Sequence, residues 1–161
     1  MRSQLKFVLM IGALSVSAGG NARTTHAAPP TDACSLLTPA QVSSVLGSPV
    51  SGGGSLTQNT KTICGWPAPG GTVPPKRVMV NIAHVSVFAG AKMGLAGDSE
   101  VITPLSGVGD EAFYDADKAG RGAALFVRKG DFAFSVRVYG FPPDQIKEKE
   151  KTLAQDALAK L

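Results

Sequence analysis

Cysteine and histidine are scarce in this chain of 161 residues, with two of each, and tryptophan occurs once, at Trp66. The scarcity excludes several chemistries by motif. There is no Cys-x-x-C pair, no His-Glu-x-x-His and no Gly-x-x-x-x-Gly-Lys-[Ser/Thr] loop, so thioredoxin-type, zincin and P-loop readings fall away. The Gly-x-Ser-x-Gly elbow of serine hydrolases is also missing. The longest apolar run, "FVLMIGALSV" at residues 7–16, is too short to cross a bilayer as a helix, which needs about 20 residues.

That run has another use. Arg2 and Lys6 precede it and small residues follow, the layout of a secretory signal. Gly20-Asn21-Ala22 satisfies the small-x-small rule, predicting a signal peptide over 1–22. A cut after Ala28 is the later alternative, with His26 at a position that prefers small side chains. No cysteine lies just after the apolar run, so no lipid-attachment signal is present. The expected product is periplasmic or secreted, not lipidated, with no stable membrane insertion once the signal is removed. Of the 16 basic and 12 acidic residues, which give +4, Arg2 and Lys6 leave with the signal, and the remainder carries +2. So small an excess excludes an electrostatic footprint for nucleic acid or anionic lipid.

Cys34 and Cys64 are an even pair in an oxidising compartment, which predicts a disulfide. In the chain-entropy model a loop of about 30 residues is worth about 3–4 kcal/mol. Trp66, next to Cys64 and before Pro67, has two readings. Tryptophan is enriched at binding hot spots, and one in this position can also cover the disulfide.

Residues 23–32 are rich in Pro, Ala and Thr without periodicity, a short linker. One domain is expected over 33–161. Thr38 and Gln41 have capping-box spacing, Pro39 suits the first helical position and Gly47 the stop, so a short helix lies between them. "SGGGSLTQNT" (51–60) is a hairpin or loop, and a strand is expected through Thr62–Trp66. In "KRVMVNIAHV" Val78, Val80 and Ile82 alternate with Met79, Asn81 and Ala83, as a strand requires. Residues 86–97 are weakly helical because Gly90 and Gly94 each cost about 1 kcal/mol against alanine. In "AALFVRKGDFAFSVRVYG" (123–140) Phe132, Phe134, Val136 and Val138 share one face, and Lys129-Gly130 supplies the turn of a long hairpin. From Asp144 to the end an amphipathic helix aligns Ile146, Leu153, Ala154, Ala157, Leu158 and Leu161. The sum is an α+β, two-layer fold: an antiparallel sheet, flanked by N- and C-terminal helices that cover one face.

"ACSLLTPAQVSSVLG", the "CGW" strand, "GVGDEAFY", the "LFVRKGDFAFSVRVYG" hairpin and a closing charged helix occur in that order. The set resembles the LpqN-like lipoproteins and related sensor-type domains, exported bacterial proteins, over residues 33–161. The resemblance implies a PsbP-like fold, with a twisted sheet flanked by helices, and non-enzymatic roles in the envelope. Many of those relatives carry a lipid on an N-terminal cysteine; here Cys34 lies far beyond the leader, which favours a free form.

Four candidate sites follow from the residues. In "GVGDEAFY" Gly107 and Gly109 allow a tight corner, and Asp110 is expected to bond its own backbone two residues on, ahead of a strand. The rival reading joins Asp110 and Glu111 with Asp115 and Asp117 as a cation site, but EF-hand spacing is absent and neighbouring strand residues point to opposite faces. No metal or cofactor is expected. His84, at a strand end, is a packed or edge residue, or else the base of a small extracytoplasmic enzyme working with a carboxylate. Lys129-Gly130-Asp131 needs only a tight turn to explain it. The expectation is an exported, non-catalytic binding module recognising an envelope protein or a small apolar or glycan ligand. The alternatives are that enzyme and a structural or inhibitory protein.

Overall fold

The computed structural model describes residues 29–71, 73–94, 100–119 and 122–161. The expected signal peptide and most of the linker lie outside the described residues.

Seven antiparallel strands form one sheet. They are β1 (Gly54–Ser55), β2 (Ile63–Pro67), β3 (Arg77–His84), β4 (Glu100–Leu105), β5 (Glu111–Asp117), β6 (Ala123–Lys129) and β7 (Phe132–Tyr139), in the order β1-β2-β3-β7-β6-β5-β4. Period-two alternation assigns each strand's residues to two faces. On one face Trp66, Val78, Val80, Leu125, Val127, Phe134, Val136 and Val138 are all buried. They pack beneath helices α1 (Pro39–Leu46) and α3 (Pro143–Leu158), with Leu46, Leu153, Ala154 and Ala157 in the same cluster.

Local chemistry sets the ends of α1 as its sequence predicts. Thr38 and Gln41 form a reciprocal capping box, Pro39 opens the helix and Gly47 closes it at φ 67°. Lys149 Nζ donates to the Val45 carbonyl at 2.7 Å, so α3 satisfies a carbonyl at the end of α1. The disulfide joins Cys34 to Cys64, tying a 3-10 turn at Ala33–Ser35 to β2.

The second face is only partly covered. Helix α2 (Val85–Lys92) crosses one end of it, inserting Phe88 against Phe113 and Ala133. The Phe88 and Phe113 rings lie 5.0 Å apart, and Phe126 stacks on Phe113 at 5.1 Å. The domain is thus two-layered with a partial third layer, where terminal helices on one face were expected. Among the described residues nothing covers the other end of this face.

Strand β4 has no counterpart among the strands expected from sequence. It occupies the sheet edge, where Pro104 is tolerated because its outer backbone needs no ladder partner.

Candidate functional site: an open groove on the sheet

Hydrogen bonding between β6 and β7 starts at the hairpin and reaches only Leu125↔Val136. Beyond it, Ala123 and Ala124 remain paired with β5, while Arg137, Val138 and Tyr139 remain paired with β3. The two strands therefore part. The freed Val138 N–H finds a substitute on the helical side, donating to Glu150 Oε1 of α3 at 3.0 Å. Glu150 has no solvent exposure, and burial pushes its carboxyl up to about 8. Its second oxygen has no partner.

The parting leaves two concavities that share Asp115, Arg137 and Tyr139: one of about 650 Å³ on the opposite face, and one of about 480 Å³ at the end of the sheet that reaches Val138 and Ile146 of the helical side. They form a continuous groove. Its floor is apolar where Ile63, Met79, Ala124 and Phe126 meet, with Asn81 and Ser135 between them, and α2 supplies a wall through Val87, Gly90 and Ala91. Toward the end of the sheet the lining becomes charged: Arg77 and Arg137 face Glu100, Asp115 and Asp117. The Arg77 guanidinium lies 4.2 Å from the centre of the Tyr139 ring, a cation–π placement.

Antiparallel register brings the acids together. Glu100 stands opposite Asp117, and Ile102 opposite Asp115, so Glu100 and Asp115 are diagonal neighbours on one face. Asp115 is 7% exposed. Burial, the Glu100 charge and a hydrogen bond to Glu100 all raise its pKa, and Arg137 opposes them. Asp115 Oδ1 and Glu100 Oε2 are nevertheless buried without a hydrogen-bond partner. Buried carboxyl oxygens normally have donors, and here two lack one at the lip of a groove.

The residues singled out from sequence sit elsewhere. Trp66 is 1% exposed. A Cβ on Gly53 would come within 2.5 Å of its indole and 2.6 Å of Cys64 Sγ. The tryptophan is therefore packed with the disulfide, beneath backbone that only glycine permits, and it offers no surface to a partner. His84 is exposed and caps α2: its Nδ1 accepts from Ser86 N–H at 3.3 Å and lies 2.9 Å from the Ser86 hydroxyl. That matches the edge reading, and His84 lines neither part of the groove.

Asp110 requires a correction. It does not close a local turn but reaches across to the hairpin loop, accepting from Gly130 N–H at 2.7 Å and Lys129 Nζ at 3.0 Å. Its own N–H donates to the Arg128 carbonyl at 2.9 Å. Gly130 holds φ 57° and Gly109 φ 62°, and a Cβ on Gly109 would also lie 2.6 Å from the Arg128 oxygen. Glu111 is held by Lys92 and Arg128. The four carboxylates of the cation reading are thus divided between opposite ends of β5. Among the described residues no cluster of three or more His, Cys, Asp or Glu side chains is set to hold a metal.

Compared with known proteins, the chain matches no family model, and no curated sequence resembles it significantly. No helix among the described residues is long and apolar enough to cross a membrane.

Proposed function

We propose that this protein is an extracytoplasmic, non-catalytic binding module of the cell envelope, with a PsbP-like fold, that takes a small ligand in the groove beside Asp115 and Arg137. The observation that carries the reading is the uncovered half of the sheet. An antiparallel sheet commonly leaves its second face to solvent, but here α2 covers part of that face and the part beside it is concave, with a mixed apolar and polar lining among the described residues. Such a combination, an apolar bed with a few convergent polar groups, is the usual composition of a ligand site. The signal-like leader, the disulfide and the lack of a membrane-spanning helix among the described residues accord with export.

A non-catalytic role is favoured because His84 Nδ1, although 2.9 Å from the Ser86 hydroxyl at the groove wall, is engaged as the cap of α2 by accepting from Ser86 N–H, and His84 itself does not line the groove. The exported protein serves for the test. N-terminal sequencing and intact mass should give a start between Ala22 and Pro30 without an acyl group. Thermal melting against monosaccharides, amino acids and fatty acids should find a stabilising class, and Ser135→Trp, which fills the groove, should abolish the shift. Retention of Met1, or a shift indifferent to Ser135→Trp, would contradict the proposal.

A further inference from the structure

Resting on the binding reading, we infer that the groove recognises a small zwitterion of the α-amino acid type, its ammonium on Asp115 and Glu100 and its carboxylate on Arg137. The two unpartnered oxygens, Asp115 Oδ1 and Glu100 Oε2, belong to neighbouring strands and the same face. Asp115 is more than nine-tenths buried and lines both parts of the groove. What these oxygens lack is a donor, and an ammonium group carries three.

Divalent cations make a poorer fit, because the described residues contain no three-ligand cluster. A ligand carrying only positive charge would also meet Arg137, which is close enough to Asp115 to pull its pKa down. An anion on the same small molecule turns that repulsion into a charge-assisted hydrogen bond. Opposite charges set side by side match opposite charges on adjacent carbons. Next to them Ile63, Met79 and Phe126 receive an apolar side chain, with Asn81 and Ser135 for further polar contact.

With the ammonium in place, Asp115 Oδ1 and Glu100 Oε2 both accept from the ligand. The other charged groups facing Asp115 across the groove are Asp117 on its own strand, Arg137 on β7 and Arg77 on β3.

L-Norvaline is the probe, with L-norvalinamide (ammonium only, as at a peptide N-terminus) and valerate (carboxylate only) as its two halves. Titration calorimetry and amide NMR shifts of the exported protein provide the readout. Norvaline should bind at least tenfold more tightly than either half. Asp115→Asn and Arg137→Gln should each weaken it at least tenfold, while Glu111→Gln, remote from the groove, should leave it unchanged. Equal affinity for norvalinamide would remove Arg137 from the site and overturn the inference. So would equal affinity for valerate, or indifference to Asp115→Asn. If norvaline fails while a sugar or fatty acid shifts groove resonances, the zwitterion is refuted and the binding reading stands.

Discussion

Asp110 shows how one short side chain can hold two hairpins in register. It sits in the turn before β5, yet its acceptors close the loop between β6 and β7, twenty residues on. The Gly130 N–H and the Lys129 ammonium hold its carboxyl below the usual range. A depressed carboxylate stabilises the fold above its unfolded value of about 3.9 and ceases to do so as pH falls through the lower folded value. Asp110→Ala should lower the denaturant midpoint at pH 7, whereas Asp110→Asn keeps an acceptor for Gly130 and should lose less. The gap between wild type and Asp110→Asn should shrink as pH falls below the unfolded value of about 3.9 and through the lower folded value. Gly109→Ala should be harsher, about 1–3 kcal/mol, because it adds left-handed strain to a collision with backbone. Urea titration of the three variants measures the order.

At the scale of elements, α3 does more than cover the sheet. Its Glu150 replaces the ladder partner that Val138 loses where β6 and β7 part, so the groove on one face and the buried acid on the other share a cause. Tyr114 on β5 adds a second tie, donating to the Lys147 carbonyl at 2.7 Å. A buried carboxyl raised to about 8 has a defined consequence. Between about pH 4.5 and 8 the unfolded chain has released a proton that the folded chain retains, so stability falls as pH rises through that window. Glu150→Gln keeps an acceptor for Val138 and has no charge to bury. It should equal the wild type below about pH 4 and exceed it at pH 9 by on the order of a few kcal/mol. Chemical denaturation at pH 4, 7 and 9 checks the divergence; parallel curves would show that Glu150 is not held protonated.

The same element shows which parts of the structure were legible in the sequence. The β6–β7 hairpin could be read because Phe132, Phe134, Val136 and Val138 alternate strictly, and α1 because capping residues mark both ends. Strand β4 could not, since at a sheet edge burial no longer enforces alternation and Pro104 argues against a strand. The groove was illegible for a different reason. Glu100, Asp115 and Arg137 come from three strands and meet only through antiparallel register, which one sequence does not declare. Asp115 did leave a trace, since period-two alternation puts it on the face of Phe113. Asp110 was misassigned because local turn chemistry and a long-range lock use the same residue type.

Across the whole molecule the disulfide and the groove mark opposite requirements. Cys34–Cys64 packs with Trp66 under Gly53, so that one flank is fixed by a cross-link and a buried indole. Reduction should lower stability by about 3–4 kcal/mol if its effect is mainly on the unfolded chain, read as a fall in melting temperature under reductant. An unchanged melting temperature would deny the bridge its structural part. The part of the sheet that α2 does not cover, by contrast, is concave and lined by both apolar and polar side chains among the described residues.

That exposed half-face is the centre of the account, and amide NMR shift mapping of the protein tests it most directly. Monosaccharides, amino acids and fatty acids would be added in turn to wild type and to Ser135→Trp. The account predicts that a binding class perturbs Met79–Ala83, Ala124–Phe126, Ser135–Tyr139 and the groove wall of α2, and that Ser135→Trp removes the response. Perturbations confined to α1, α3 or the hairpin tip at Lys129–Asp131, or none from any class, would contradict it.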